Sequence, residues 1–245
     1  MAKREGDWEF YPCRVNDAPA SILLDLTFRD AKPSGADTLY FAGLQILEPG
    51  DHGMGTGADI ERLYAAEDAI CDAASGAGLT YVGRLRNGGD WQLTFYGPAG
   101  REKALEDVVV RFRGARGYRT GSKADAAWSY YDEFLMPDAE RWQWIMNRRV
   151  VEQLASHGDD HATPRPIDHY VYFDAAADRD AFAAAATAKG FRVEPTPEGE
   201  RFGAHLVRTD RVQLGHIHEV VMELRELGEA HGGDYDGWGA GIVKP

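Results

Sequence analysis

The sequence predicts an α+β protein made of two similar sandwiches joined by a helix. Three observations lead there. The second half reads as strand, helix, strand, strand, helix, strand. The first half repeats that order from residue 38 onward, with one extra strand ahead of it. A single amphipathic helical stretch lies between the two. The order β-α-β-β-α-β is the split βαβ pattern of a ferredoxin-like sandwich, in which four antiparallel strands carry two helices on one face. The reason is burial: each helix has one apolar stripe, and one sheet face hides both. The other face stays bare unless something covers it, so a partner is expected there.

The elements follow in order. ASILLDLTF (20–28) and TLYFAGLQIL (38–47) have the apolar, β-branched and aromatic content of strands. DIERLYAAEDAICDAAS (59–75) turns Ile60, Leu63, Ile70 and Ala74 to one helical face. LTYVGRLRNGGDWQLTFYG (79–97) is a hairpin whose turn is marked by Asn87-Gly88-Gly89. REKALEDVVVRFRG (101–114) reads as a second helix and WSYYDEFLM (128–136) as a last strand. The stretch 137–160 opens with Pro137 and Asp138, which suit a first helical turn. Its Trp142, Ile145, Met146, Val150 and Leu154 give an apolar side, so it reads as a packed connector. The domains are then 1–147, including the connector helix, and 148–245.

In the second half, IDHYVYFD (167–174) alternates as a strand does. The alanine-dense stretch 175–190 is strongly helical, and Gly190 can close it. FRVEPTPE (191–198) and AHLVRTD (204–210) are strands. Residues 211–233 place Leu214, Ile217, Val221 and Leu224 on one helical face, with Asp210 as N-cap and Gly232-Gly233 as stop. YDGWGAGIV (235–243) resumes strand character.

Charge narrows the function. The 245 residues carry 27 Lys and Arg against 40 Asp and Glu, a net charge of −13 spread over both halves. A nucleic-acid binder normally shows a clustered basic face. The densest basic run holds Arg111, Arg113, Arg116 and Arg119. It is either a phosphate-binding patch or the solvated end of a helix. Direct nucleic-acid binding is not expected, and an acidic protein suits a basic protein partner. No apolar run approaches the roughly 18–20 residues of a membrane helix, and MAKREGDWEF lacks the apolar core of a signal peptide. Cys13 and Cys71 form neither a disulfide framework nor a zinc pattern. A cytoplasmic location is expected, with no membrane partner.

No catalytic set, cofactor site or metal site emerges. GDHGMGTGAD (50–59) precedes a helix but fits neither the Walker spacing nor the dinucleotide fingerprint, and its acids would repel phosphate. HGDDH (157–161) has histidines four apart, as a zinc helix would, but Gly158 and Pro164 argue for a loop. In HIH (216–218) the two histidines point to different helix faces. There is no G-x-S-x-G elbow, and Asp132 and Glu133 would face opposite sides of a strand. DYDGWG (234–239) holds the most specific signal. Gly237 and Gly239 permit unusual backbone angles, Asp236 can hold a turn, and Trp238 is a large rigid surface with one polar handle. Tyr235, Asp236, Gly237, Trp238 and Gly239 are therefore the candidate partner-binding residues; the competing reading is a bulged strand entry with Trp238 in the core.

The second half, from about Val150 to Val243, resembles the bacterial regulator of ribonuclease activity B, the ribonuclease E inhibitor family. The shared features are the VVEQLASHGDD helix, RPIDHYVYFD, the turn across Ala186–Val193 and the closing GGDYDGWG. The first half, about 8–136, resembles an uncharacterised bacterial domain of unknown function (family 695) often found ahead of it, on its ASILLDL strand and the Glu67-Asp68 pair. The resemblance implies a small acidic β-α-β-β-α-β sandwich that binds the endonuclease and reduces RNA cleavage without catalysis. The chain departs from that family in lacking a long acidic tail after the motif and in carrying a whole additional domain. The expected function is a non-enzymatic, protein-binding regulator, its partner ribonuclease E or another degradosome component. The alternative is a small-ligand or metal-binding protein or enzyme with a site between the domains, where His157, His161 and His169 would be the first suspects. A third reading has the first domain forming a homodimer through its strand edges.

Overall fold

The computed structural model describes residues 5–112, 117–194, 196 and 199–245. It divides into two compact units, Met1–Arg141 and Trp142–Pro245.

The first unit opens on a hairpin, β1 (Trp8–Val15) and β2 (Ala18–Asp25). Its two-residue turn is Asn16-Asp17, both left-handed with φ of 49° and 59°. Asn and Asp tolerate that region, which is why a turn without glycine forms here. β3 (Thr38–Gln45), α1 (Gly57–Gly76), β4 (Thr80–Asn87), β5 (Asp90–Gly97), α2 (Glu102–Phe112) and β6 (Tyr118–Ala124) follow. The β4–β5 turn carries Gly88 and Gly89, both at positive φ. The sheet order is β1-β2-β4-β5-β3-β6. Counted from β3, the four strands lie 4-1-3-2 and all pair antiparallel, the ferredoxin-like arrangement with a hairpin added at the β4 edge. Tyr40, Ala42, Trp91, Leu93 and Phe95 meet Leu63, Ile70, Leu105 and Val109 of the helices in one core.

Three expectations change here. The extra strand is a pair. The fourth strand of the motif is β6, a polar edge strand that begins at the end of the arginine-rich run and includes Arg119; Arg113 and Arg116 of that run lie outside the described residues. WSYYDEFLM is not a strand: residues 130–135 form one π-helical segment. Asp125 accepts from the backbone N–H groups of Ser129 and Tyr130, at 2.9 and 3.0 Å, and starts it. Asp132 and Glu133 are thus on a helix rather than on opposite strand faces. The segment covers the sheet face opposite α1 and α2. Trp128 stacks on Tyr96 at 3.9 Å, Tyr131 Oη donates to Asp25 O at 2.7 Å, and Tyr11 Oη donates to Leu135 O at 2.7 Å.

The second unit begins within α3 (Ala139–Ser156). The expected cut at residue 147 falls inside this helix, whose Val151 and Leu154 belong to the second core. Next come β7 (Arg165–Phe173), α4 (Ala176–Ala188), β8 (Arg192–Glu194), β9 (Phe202–Asp210), α5 (Leu214–Ala230) and β10 (Gly233–Ala240). The order β10-β7-β9-β8 is again 4-1-3-2, antiparallel throughout. Ile167, Val171 and Phe173 of β7 and Ala204 and Leu206 of β9 pack with Phe182, Ala186, Ile217, Val221 and Leu224. The protein is thus α+β with two antiparallel sheets, each built on a ferredoxin-like β-α-β-β-α-β core.

Candidate functional site

Side chains alternate across a strand, so the β7 and β9 residues between the core positions point away from the helices. These are Asp168, Tyr170 and Tyr172 of β7, paired with Val207, His205 and Gly203 of β9. None belongs to the core cluster, and all but Gly203 and Val207 keep partial exposure. The rings of Tyr170 and His205 stack at 4.8 Å and 15°. His205 Nε2 donates to Asp168 Oδ1 at 2.7 Å. Arg201 bridges Asp174 at 3.0 Å and Asp234 at 2.7 Å at the rim. The face is an aromatic stack set among carboxylates.

The edge strand β10 borders it and holds the DYDGWG motif. Its register against β7 slips by one between Tyr235 and Gly237, leaving Asp236 as the extra residue of a bulge. Gly237 sits at φ 154°, a region other residues avoid. In a regular strand Tyr235 and Trp238 would point to opposite faces. The inserted residue brings both to the helix side, opposite Val171 and His169. Tyr235 Oη lies 2.8 Å from His169 Nδ1. Trp238 Nε1 donates to Asn147 Oδ1 at 2.9 Å, and Asn147 is fully buried in α3. Asn147 also accepts from Gln143 Nε2 at 3.1 Å and lies 3.0 Å from His218 Nδ1. Both aromatic residues of the motif are half-buried pins between β10 and the helices, while Asp234 and Asp236 are exposed.

The remaining candidates are dispersed. His157 Nδ1 lies 2.8 Å from Gln153 O on the exposed end of α3. Asp159 is buried, pairs with Arg165, and accepts from Val243 N at 2.7 Å, so HGDDH clamps the segment after β10. His161 Nε2 is 3.8 Å from Asp159 Oδ2. His216 pairs with Asp210 at 2.9 Å whereas His218 faces Asn147, as separate helix faces require. The glycine-rich loop before α1 is closed by its own contacts. Asp59 accepts from Leu47 N at 2.6 Å, Glu48 N at 3.2 Å and Arg62 Nε at 2.7 Å. Among the described residues no group of three His, Cys, Asp or Glu is placed to hold a metal.

His169 gives the second unit a pH signature. It is fully buried, and its Nε2 has no partner among the described residues. Burial pulls its pKa from the ordinary 6.5 down to about 4; Arg208 adds to this, and Asp210 and Asp168 oppose it. Between these values the unfolded chain holds the proton and the folded chain does not. Stability is therefore complete above about pH 6.5 and falls as pH drops through 4, by roughly 3 kcal/mol in total. Asp159 and Asp210, whose carboxyls are held below their usual 3.8, lose their contribution only at lower pH. Urea unfolding of the second unit at pH 7.5, 6, 5 and 4.5 should show the decline. His169→Gln should flatten it.

Residues 6–136 match the model of a family of unknown function, DUF695. This is more than half of the chain. The chain belongs to the DUF695 family. Residues 144–240 match the model described as regulator of ribonuclease activity B. The two matches follow the two structural units and agree with the resemblances read from the sequence. The DUF695 unit holds the six-stranded sheet, and the second unit holds the bulged edge strand and the tyrosine face. No curated protein matches the chain. Among solved structures, an unknown protein from Galdieria sulphuraria is 12% identical, with 81% of this chain and 95% of that one covered and a TM-score of 0.23. A putative glycine cleavage system transcriptional repressor is 10% identical, with 83% and 98% covered and a TM-score of 0.23. No helix among the described residues is long and apolar enough to cross a membrane.

Sequence reasoning chose the DYDGWG motif but missed Tyr170, Tyr172 and His205. The signal was available: IDHYVYFD alternates, so its tyrosines must face opposite its histidine and valine. Asn147 carried no local signal, because its role depends on Trp238, 91 residues away.

Proposed function

We propose that the chain is a non-enzymatic cytoplasmic regulator whose second unit binds a ribonuclease protein of the ribonuclease E type and lowers RNA cleavage. The observation that carries this reading is the family match over residues 144–240. The open face supports it in chemistry. Asp168, Asp234 and Glu194 share this face with Arg192, Asp174 and Arg201 stand at its rim, and Asp236 is exposed on the bordering strand. Carboxylates thus outnumber arginines, and Tyr170 and Tyr172 offer ring faces to a guanidinium. The proposed occupant is therefore a basic, arginine-bearing segment of the ribonuclease. In this reading Asp236, Gly237 and Gly239 border the contact directly, and Tyr235 and Trp238 contribute by holding the edge strand in place.

The test is cleavage of a structured RNA by purified ribonuclease E with and without the full chain. Stoichiometric addition should slow cleavage. The double reversal Asp234→Lys/Asp236→Lys, at exposed positions, should weaken binding by about tenfold or more without altering the fold. Unchanged cleavage at a large excess of the wild-type chain would refute the proposal. Equal inhibition by the reversed variant would refute the assigned surface.

A further inference from the structure

The DUF695 unit carries a feature that the ribonuclease reading does not use. Arg84 and Arg86 lie two apart on β4, so both point to the face that packs against α1. Their guanidinium carbons lie over the same indole, Trp91, at 4.3 and 5.3 Å, and Arg84 is also 5.3 Å from the Tyr64 ring. Arg84 is 4% exposed. Its Nη1 donates to Glu67 Oε2 at 2.8 Å, and the same carboxylate accepts from Trp91 Nε1 at 2.8 Å and Tyr81 Oη at 3.0 Å.

Arg86 has no such partner. Among the described residues its guanidinium makes no hydrogen bond and no ion pair, and its Nε is buried without an acceptor. The Nε of Arg84 is buried and unpartnered as well. Glu67 is the one carboxylate that either guanidinium reaches within ion-pair distance among the described residues. Two adjacent cations therefore share one anion. Burial, and then repulsion from Arg84, push the Arg86 pKa below its ordinary value. Arginine does not shed its proton in a protein, so deprotonation cannot relieve the repulsion. A bound anion would. Ser21 of β2 is the register partner of Arg86 on β4, so its side chain lies on the same face of the sheet. Tyr64 and Trp91 supply ring surface beside the arginines.

We propose that Arg84 and Arg86 form a binding site in the first unit for the oxyanion group of a small molecule, a carboxylate or a phosphate ester. Arg86 provides a guanidinium, unpartnered among the described residues, whose planar N–H donors match two oxygens of such a group. Arg84, held by Glu67, adds charge from below.

The test is calorimetric titration of the full chain with inorganic phosphate and with glutarate, at constant ionic strength and with chloride as control. Saturable binding of phosphate alone identifies a phosphate ester as the ligand class; binding of glutarate alone identifies a carboxylate. Either supports the site if Arg86→Gln weakens it by about tenfold or more and Arg86→Lys by less. The Nε–Hε resonance of Arg86 in the wild-type chain should shift along the same titration, which gives a reading that needs no variant. Binding no tighter than chloride, binding unchanged in Arg86→Gln, or an Arg86 resonance that stays still would overturn the proposal.

Discussion

Glu67→Ala is expected to lower the stability of the first unit by about 3–5 kcal/mol, the cost of leaving one member of a buried ion pair without the other. Glu67 is 0% exposed and stands at the centre of α1. Its two oxygens accept hydrogen bonds from Arg84, Trp91 and Tyr81, so one substitution strips two buried donors and one partly buried donor of their acceptor. The guanidinium of Arg84 suffers most, since water cannot reach it to replace the carboxylate. Hydrogen exchange of β4 and β5 amides across a urea series would measure the loss. Tyr81→Phe removes one neutral donor and should cost about 1 kcal/mol. If Glu67→Ala costs no more than Tyr81→Phe, the carboxylate is not the organising group described here.

Trp238→Ala should cost the second unit about 3 kcal/mol, near the lower end for tryptophan truncation because the side chain is half-buried. The indole packs against the core, and its N–H reaches Asn147 on α3. Trp238→Phe keeps most of the packing and loses the hydrogen bond, so it should cost about 1 kcal/mol. The pair separates two roles for this residue. Under conditions where both variants stay folded, a pin leaves ribonuclease inhibition near the wild-type level in Trp238→Phe. A direct docking residue would lose binding by about 2 kcal/mol or more at unchanged stability. Denaturation midpoints and inhibition curves on the same samples decide between them.

The two-fold repeat of β-α-β-β-α-β was legible because long periodic stretches carry it. α5 shows its stripe of Ile217, Val221 and Leu224, and the β4–β5 turn shows its glycines. The failures have separate causes. β6 is a polar edge strand with no buried residue, so no alternation marks it. The β1–β2 turn uses Asn16-Asp17 without glycine. The 128–136 stretch has the aromatic content of a strand, yet it becomes helical because Asp125 caps it and because Tyr131 and Leu135 bury against β1 and β2. Intrinsic preference was overridden by a sheet face that needed covering.

The candidate site divides in the same way. The acidity, the alternation of β7 and the glycines of DYDGWG are local properties, and the chain by itself determined them. Which way Tyr235 and Trp238 point was decided by the bulge at Asp236, because one added residue reverses every later side chain against its neighbour strand. Likewise β4 alone places Arg84 and Arg86 on one face. Only the packing of α1 decided that Glu67 reaches the first guanidinium and leaves the second without a partner among the described residues. Burial sets the worth of such a charge, and burial is a property of the assembled layers rather than of any one segment.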